Sequence, residues 1–317
     1  MGITERIDAI TALPPERRAT ILPAPKSVKI ELTGRCNFAC AFCARSQMLR
    51  EQKDMDRGLF ERLAVEMREA GVEELGLFYL GESFLVPWLE EAVRFAKDVA
   101  GYDYVFLTTN GSLARPARVK ALMEAGLDSL KFSLNYADEK QFTEIARVKG
   151  HLFETIIANV KAARPIRAEV EDRTGHHCGL YGSHIAYDGD QGRRMRDLIT
   201  ALTPYLDEIY SLPLYSHGGF QTEEERARGW TPTPGNRGRL DALRDPMPCW
   251  SVSCEGHITA EGALSACCFD HNAGWTMGDL TEQGFMEAWN SPKFQALRAA
   301  HLAGDVSGTP CAKCLAA

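Results

Sequence analysis

The sequence predicts an α/β protein, an open parallel barrel of about six strand–helix units followed by a small cysteine-rich unit of hairpin and short helices. Three observations lead there. Between residues 27 and 213 short apolar runs alternate with helical patterns, the signature of βα repeats with right-handed crossovers. A count near six falls short of the eight units of a closed barrel. Nine of the ten cysteines in 317 residues gather in two groups, three directly after the first strand and six beyond residue 248, with Cys178 alone between them.

The elements follow in order. SVKIEL (27–32) reads as a strand, and RGLFERLAVEMREAG (57–71) as a helix with Leu59, Phe60, Leu63, Ala64 and Met67 on one face. ELGLFYL (74–80) is the second strand, and Pro87 opens a helix running to Ala100. YVFLTTNG (104–111) is a strand ending in a turn signal, followed by a helix to about Ala125. LDSLKFSLN (127–135) is the fourth strand, and 138–163 is largely helical. A strand near 166–171, a helix near 193–204 and a strand near 207–213 complete the series. Residues 214–247 are turn-rich and read as a linker or active-site loop. A hairpin is expected around Glu261–Gly262, then short helices and a terminal CAKC. The domain plan is therefore 1–26 as an extension, 27–213 as the barrel, 214–247 as a linker and 248–317 as the small unit.

Composition narrows the function. Hydrophobic residues at 45% and charged residues at 25% can supply a full core, which argues against disorder. The net charge of −7 and the lack of a basic run speak against a nucleic-acid binder. No apolar run approaches the roughly 20 residues of a membrane span, and the first residues carry no hydrophobic signal core. A cytoplasmic setting is expected, where clustered thiols bind metals rather than form disulfides.

Cys36, Cys40 and Cys43 stand in ELTGRCNFACAFCARS with C-x3-C-x2-C spacing. Three thiolates can bind three irons of a [4Fe–4S] cube and leave the fourth open to a small molecule. A zinc site completed by a distant histidine is the other metal reading, although zinc ribbons favour C-x2-C pairs. With Phe42 just before the last cysteine, the motif resembles the radical S-adenosylmethionine (SAM) superfamily, and residues 27–213 resemble its partial (β/α)6 barrel. The resemblance implies that SAM binds the open iron and that its reductive cleavage yields a 5′-deoxyadenosyl radical. It further implies that Gly81 and Glu82, in LGE where the family carries GGE, hold the SAM amino group. Ser133 matches a ribose-contacting position, Asn110 the third-strand motif, and Phe42 would pack on adenine.

The second group, Cys249, Cys267, Cys311 and Cys314, resembles the twitch domain, a shortened SPASM domain with one auxiliary [4Fe–4S] cluster. An all-cysteine zinc site is again the alternative. Cys254 competes with Cys249 as first ligand. Cys268 competes with Cys267, and strand geometry lets only one of these neighbours face a cluster.

Twitch-type relatives act on small polar carbohydrate-like or aminocyclitol substrates, including aminoglycoside precursors, with a flavodoxin or ferredoxin as electron donor. The expected reaction is hydrogen abstraction from a carbinol carbon followed by redox-neutral epimerisation. Cys178, placed after the fifth strand, is the expected hydrogen donor, with Cys254 and Cys268 as rivals and His176 and His177 as candidate proton acceptors. Dehydrogenation to a ketone through the auxiliary cluster is the alternative. Ribosomal-peptide modification is a further one, less expected with only residues 1–26 before the first strand. The acidic net charge suits a cationic aminosugar.

Overall fold

The computed structural model describes residues 1–43, 45, 50–187, 189–219 and 227–316. One nine-stranded sheet organises them. Its strands are β1 (Ser27–Ile30), β2 (Glu74–Gly76), β3 (Tyr104–Thr109), β4 (Ser129–Ser133), β5 (Gly179–Ile185), β6 (Glu208–Leu212), β7 (Glu255–Ile258), β8 (Ala263–Ser265) and β9 (Thr276–Asp279). They lie in the order β6-β5-β4-β3-β2-β1-β7-β8-β9. All pairings from β6 to β7 are parallel, and β7–β8 and β8–β9 are antiparallel. This is the expected open six-strand barrel plus a C-terminal unit. That unit's first strand pairs directly with β1, so one sheet runs through both.

Strand alternation divides the side chains. On β4, Leu130 and Phe132 are fully buried on the helix-covered face, whereas Ser129, Lys131 and Ser133 point into the barrel cavity. Helix 57–69 forms because Asp56 accepts the Leu59 amide as an N-cap and because Phe60, Leu63, Ala64 and Met67 recur on one face. Full burial of Phe60, Leu63 and Met67 contributes roughly 1.5–3 kcal/mol each. The hairpin appears at the expected place, with Gly262 at φ +91° in its turn.

Two expectations fail. The segment near 166–171 is not a strand. It belongs to a helix, Leu152–Thr174, that continues through Pro165. The spacing of Ala163, Arg167 and Val170 buries a helical face, and it prevails over the apparent alternation of Ile166, Ala168 and Val170. The fifth strand is instead GLYGSHI (179–185), whose two glycines disguise it as loop. They are there because space is short. A Cβ at Gly182 would lie 3.0 Å from Leu206 and 3.2 Å from Leu134, and one at Gly179 would meet the Tyr181 ring.

The first residues also do more than extend the chain. Helix Ile3–Thr11 docks on the barrel, with Thr4 bonding Glu208 on β6 through its amide (3.1 Å) and hydroxyl (2.7 Å). Arg6 reaches Glu74 on β2 at 2.8 Å and lies 3.6 Å over the Tyr104 ring. Ile3, Ile7 and Ile10 thereby become part of the cavity wall.

Candidate active site and cluster sites

The first cysteine loop leaves the C-terminal end of β1 and is fixed by backbone bonds to the end of helix Glu139–Ala146. Ala39 donates to Ala146 O (3.1 Å), and Ala41 donates to Ile145 O (2.9 Å). A tight turn, Cys43 N to Cys40 O at 3.0 Å, draws the last two cysteines together. Burial pushes the Cys36 thiol up to about 11 and Cys40 up to about 12, with the neighbouring cysteines adding to the rise. The Tyr136 hydroxyl lies 3.4 Å from Cys40 Sγ. Three thiols so arranged could hold three irons once iron displaces their protons.

A polar network ties this loop to the ends of β2 and β3. Glu82 is 3% exposed and accepts from Thr109 Oγ1 and Asn110 N, both at 2.8 Å, and from Phe84 N at 3.2 Å. Burial raises its pKa against the pull of those donors. Asn110 Nδ2 donates to Asn37 Oδ1 at 2.8 Å, and Asn37 Nδ2 donates to Ser112 Oγ at 2.9 Å. Glu82 and Asn110 thus brace Asn37, the residue after Cys36. Gly81 is required by close approach, since a Cβ there would stand 1.9 Å from the Thr33 carbonyl oxygen. Asn37, Ser112, Thr109 and Tyr136 escaped the sequence reading. Asn37 and Tyr136 carried no motif of their own, and Ser112 and Thr109 merely flank TTNG.

The barrel encloses a cavity of about 350 Å³. Phe42 and Ser133 both line it, together with Lys29, Lys131, Tyr210, Glu255 and Cys268. Cys178 does not. Because the fifth strand begins at Gly179, this cysteine precedes β5, level with the start of β4, where Ser129 pairs with Gly179. It is 1% exposed within the hydrophobic core, at the opposite strand end from Ser133. His176 and His177 share that end, bonded to Leu127 O and to Glu171 Oε1, both at 2.9 Å.

The second group closes around a separate cavity of about 90 Å³ lined by Cys249, Cys267, Cys311 and Cys314. Cys311 and Cys314 come from one short helix (Cys311–Ala316), Cys267 from the loop after β8, and Cys249 from just before helix Ser251–Cys254. Four thiols around a void suit an inorganic cube. Among the described residues, no three His, Cys, Asp or Glu side chains converge on a single ion. Cys254 packs elsewhere, against Leu13 and Trp250. Cys268 turns the other way from Cys267, into the barrel cavity, where Asn236 Nδ2 donates to its sulfur at 3.2 Å.

Residues 30–185 match the Radical SAM superfamily, and residues 249–315 match SPASM, an iron-sulfur cluster-binding domain. The chain belongs to the radical SAM superfamily. This radical SAM protein therefore uses SAM with a SAM-binding [4Fe–4S] cluster, and its SPASM domain carries auxiliary iron–sulfur chemistry. Its fold is similar to that of BtrN in complex with AdoMet and 2-DOIA, with TM-score 0.58, 19% identity and 91% of each chain covered. It is also similar to Streptococcus suis SuiB bound to the precursor peptide SuiA, with TM-score 0.63, 15% identity, and 93% of this chain and 70% of the other covered. Among curated relatives, a GTP 3′,8-cyclase of Chlorobaculum tepidum is 36% identical over 120 residues, or 38% of this chain. A probable GTP 3′,8-cyclase of Halobacterium salinarum is 24% identical over 75% of this chain. The chain spans 36% of the length of the first and 66% of the second. No helix among the described residues is long and apolar enough to cross a membrane.

Proposed function

We propose that this radical SAM enzyme inverts a carbinol carbon of a small polar, carbohydrate-like metabolite, with Cys268 rather than Cys178 as hydrogen donor. Cys36, Cys40 and Cys43 are assigned to the SAM-binding cluster, and Cys249, Cys267, Cys311 and Cys314 to one auxiliary cluster. When bound, SAM and its cluster supply the radical that removes one hydrogen atom from the substrate carbon. The protein's part is to seat that carbon between two walls. Phe42 and Ser133 belong to the wall beside the first cysteine loop, and Cys268 belongs to the wall carried by the C-terminal unit. A thiol there returns a hydrogen atom to the face opposite the abstraction. The C–H bond is re-formed inverted, and the resulting thiyl is restored by one electron and one proton. A reduced flavodoxin or ferredoxin fits as the electron source for both cleavage and restoration.

The observation carrying this reading is the Cys268 sulfur in the cavity wall, next to a cluster ligand and outside the cluster's own pocket. A second reading, two-electron oxidation to a ketone with the auxiliary cluster as acceptor, is favoured by the likeness to BtrN over 91% of both chains. Turnover in deuterium oxide with a panel of sugars and aminocyclitols separates them. Epimerisation places one solvent deuterium at the inverted carbon, whereas oxidation yields a carbonyl product without incorporation. Cys268→Ala should still release 5′-deoxyadenosine but stop inversion, and Cys178→Ala should leave inversion intact. Inversion surviving in Cys268→Ala would remove the donor assignment.

A further inference from the structure

The charges inside the barrel cavity do not cancel. Three cationic side chains line it, Arg6, Lys29 and Lys131, against two carboxylates, Glu74 and Glu255. Arg6 is paired with Glu74 at 2.8 Å, and Lys29 with Glu255 at 2.7 Å. Lys131 is left over. Its Nζ donates to the Tyr210 hydroxyl at 2.9 Å, and among the described residues no carboxylate lies within 4.0 Å of it. His217, also in the wall, is held neutral because burial pulls its pKa down to about 3.

Position strengthens the point. Lys131 sits on the inward face of β4, two residues before Ser133. The ring of Phe78 lies 5.7 Å from Lys29 Nζ and 6.0 Å from Lys131 Nζ, so the two ammonium groups flank one aromatic surface. A cation in a largely apolar cavity pays for lost hydration unless an anion joins it. Tyr210 supplies a hydroxyl dipole but no charge. An anionic group on a bound ligand would supply the missing partner.

We propose that the cavity binds a substrate bearing an acidic group, a carboxylate or a phosphate, seated on Lys131 with Tyr210 beside it. This rests on the reading of the cavity as the substrate site and narrows the substrate from polar sugars to acidic ones. It reverses what the chain's overall negative charge suggests, because the local balance inside the barrel has the opposite sign. The Lys29–Glu255 pair lines the same cavity from β1 and β7, where Glu255 disfavours a second acidic group.

The test is equilibrium binding to the cluster-loaded enzyme without reductant, so that it does not depend on turnover. Glucuronate, glucose 6-phosphate, glucose and glucosamine serve as calorimetric probes. At least one acidic sugar should bind more tightly than glucose and glucosamine, and which one does so tells carboxylate from phosphate. Lys131→Met should weaken that probe on the order of 10- to 100-fold, with little effect on glucose, and Lys131→Arg should recover most of the loss. Iron content and melting temperature check that Lys131→Met is folded, and Lys131→Gln substitutes for it if it is not. Equal binding of acidic and neutral probes, no binding of either acidic probe, or unchanged affinity in the neutral variants each overturns the proposal. The solvent-deuterium result stands apart from all three, so a failed epimerase reading and a failed acidic-ligand reading are distinguishable.

Discussion

Cys267 and Cys268 are adjacent in sequence yet line two different cavities, and this division governs what each can do. Iron analysis of anaerobically purified variants checks it. With two cubes the wild-type chain should hold about eight irons. Cys267→Ala, Cys249→Ala and Cys314→Ala should each lower that to about four, while Cys268→Ala and Cys254→Ala should keep about eight. A drop in either of the last two would exchange a ligand. Glu255 gives a pH prediction. Burial alone would raise its pKa, but Lys29 and His257 outweigh burial and hold it down to about 2. A carboxyl depressed in the folded state stabilises the fold above its unfolded pKa of about 4.3, and that stability fades as pH falls from there toward about 2. Denaturant melts from pH 6 to pH 3 should show this loss in the wild type and a flatter profile in Glu255→Gln.

Among elements, the strands of the barrel were legible wherever apolar runs ended in a turn signal, as in SVKIEL and YVFLTTNG. The fifth unit was not, because Gly179 and Gly182 answer a steric demand from Leu206, Leu134 and the Tyr181 ring that a single sequence does not display. That one misplacement set Cys178 at the end of a strand, whereas it lies at the beginning of one, buried and outside the cavity lining. The two cysteine groups were legible because their spacing is local and is written directly in the chain. Asn37 and Tyr136 were missed because their partners, Asn110 and Cys40, lie 73 and 96 positions away. Gly81 was read as a motif residue, and the structure adds a reason of its own. Gly81→Ala drives a Cβ into the Thr33 backbone and should cost about 1–3 kcal/mol. A lower melting temperature, with a parallel loss of iron from the first cluster, is the expected result. A variant as stable as the wild type would show that the loops can part there.

Across the whole molecule, the continuous sheet has a consequence for the order of events in folding. The ammonium of Lys29 meets the carboxylate of Glu255 across 226 positions of chain, at the junction of β1 with β7. Contacts so distant in sequence form late, because a long stretch of polypeptide must first be confined. Until they do, the edge of β1 is open and its lysine is uncompensated. The nascent barrel therefore waits for its last quarter before the β1 edge of its wall is covered, and the seam that joins the two units is where hydrogen exchange should find the first opening on the way back out.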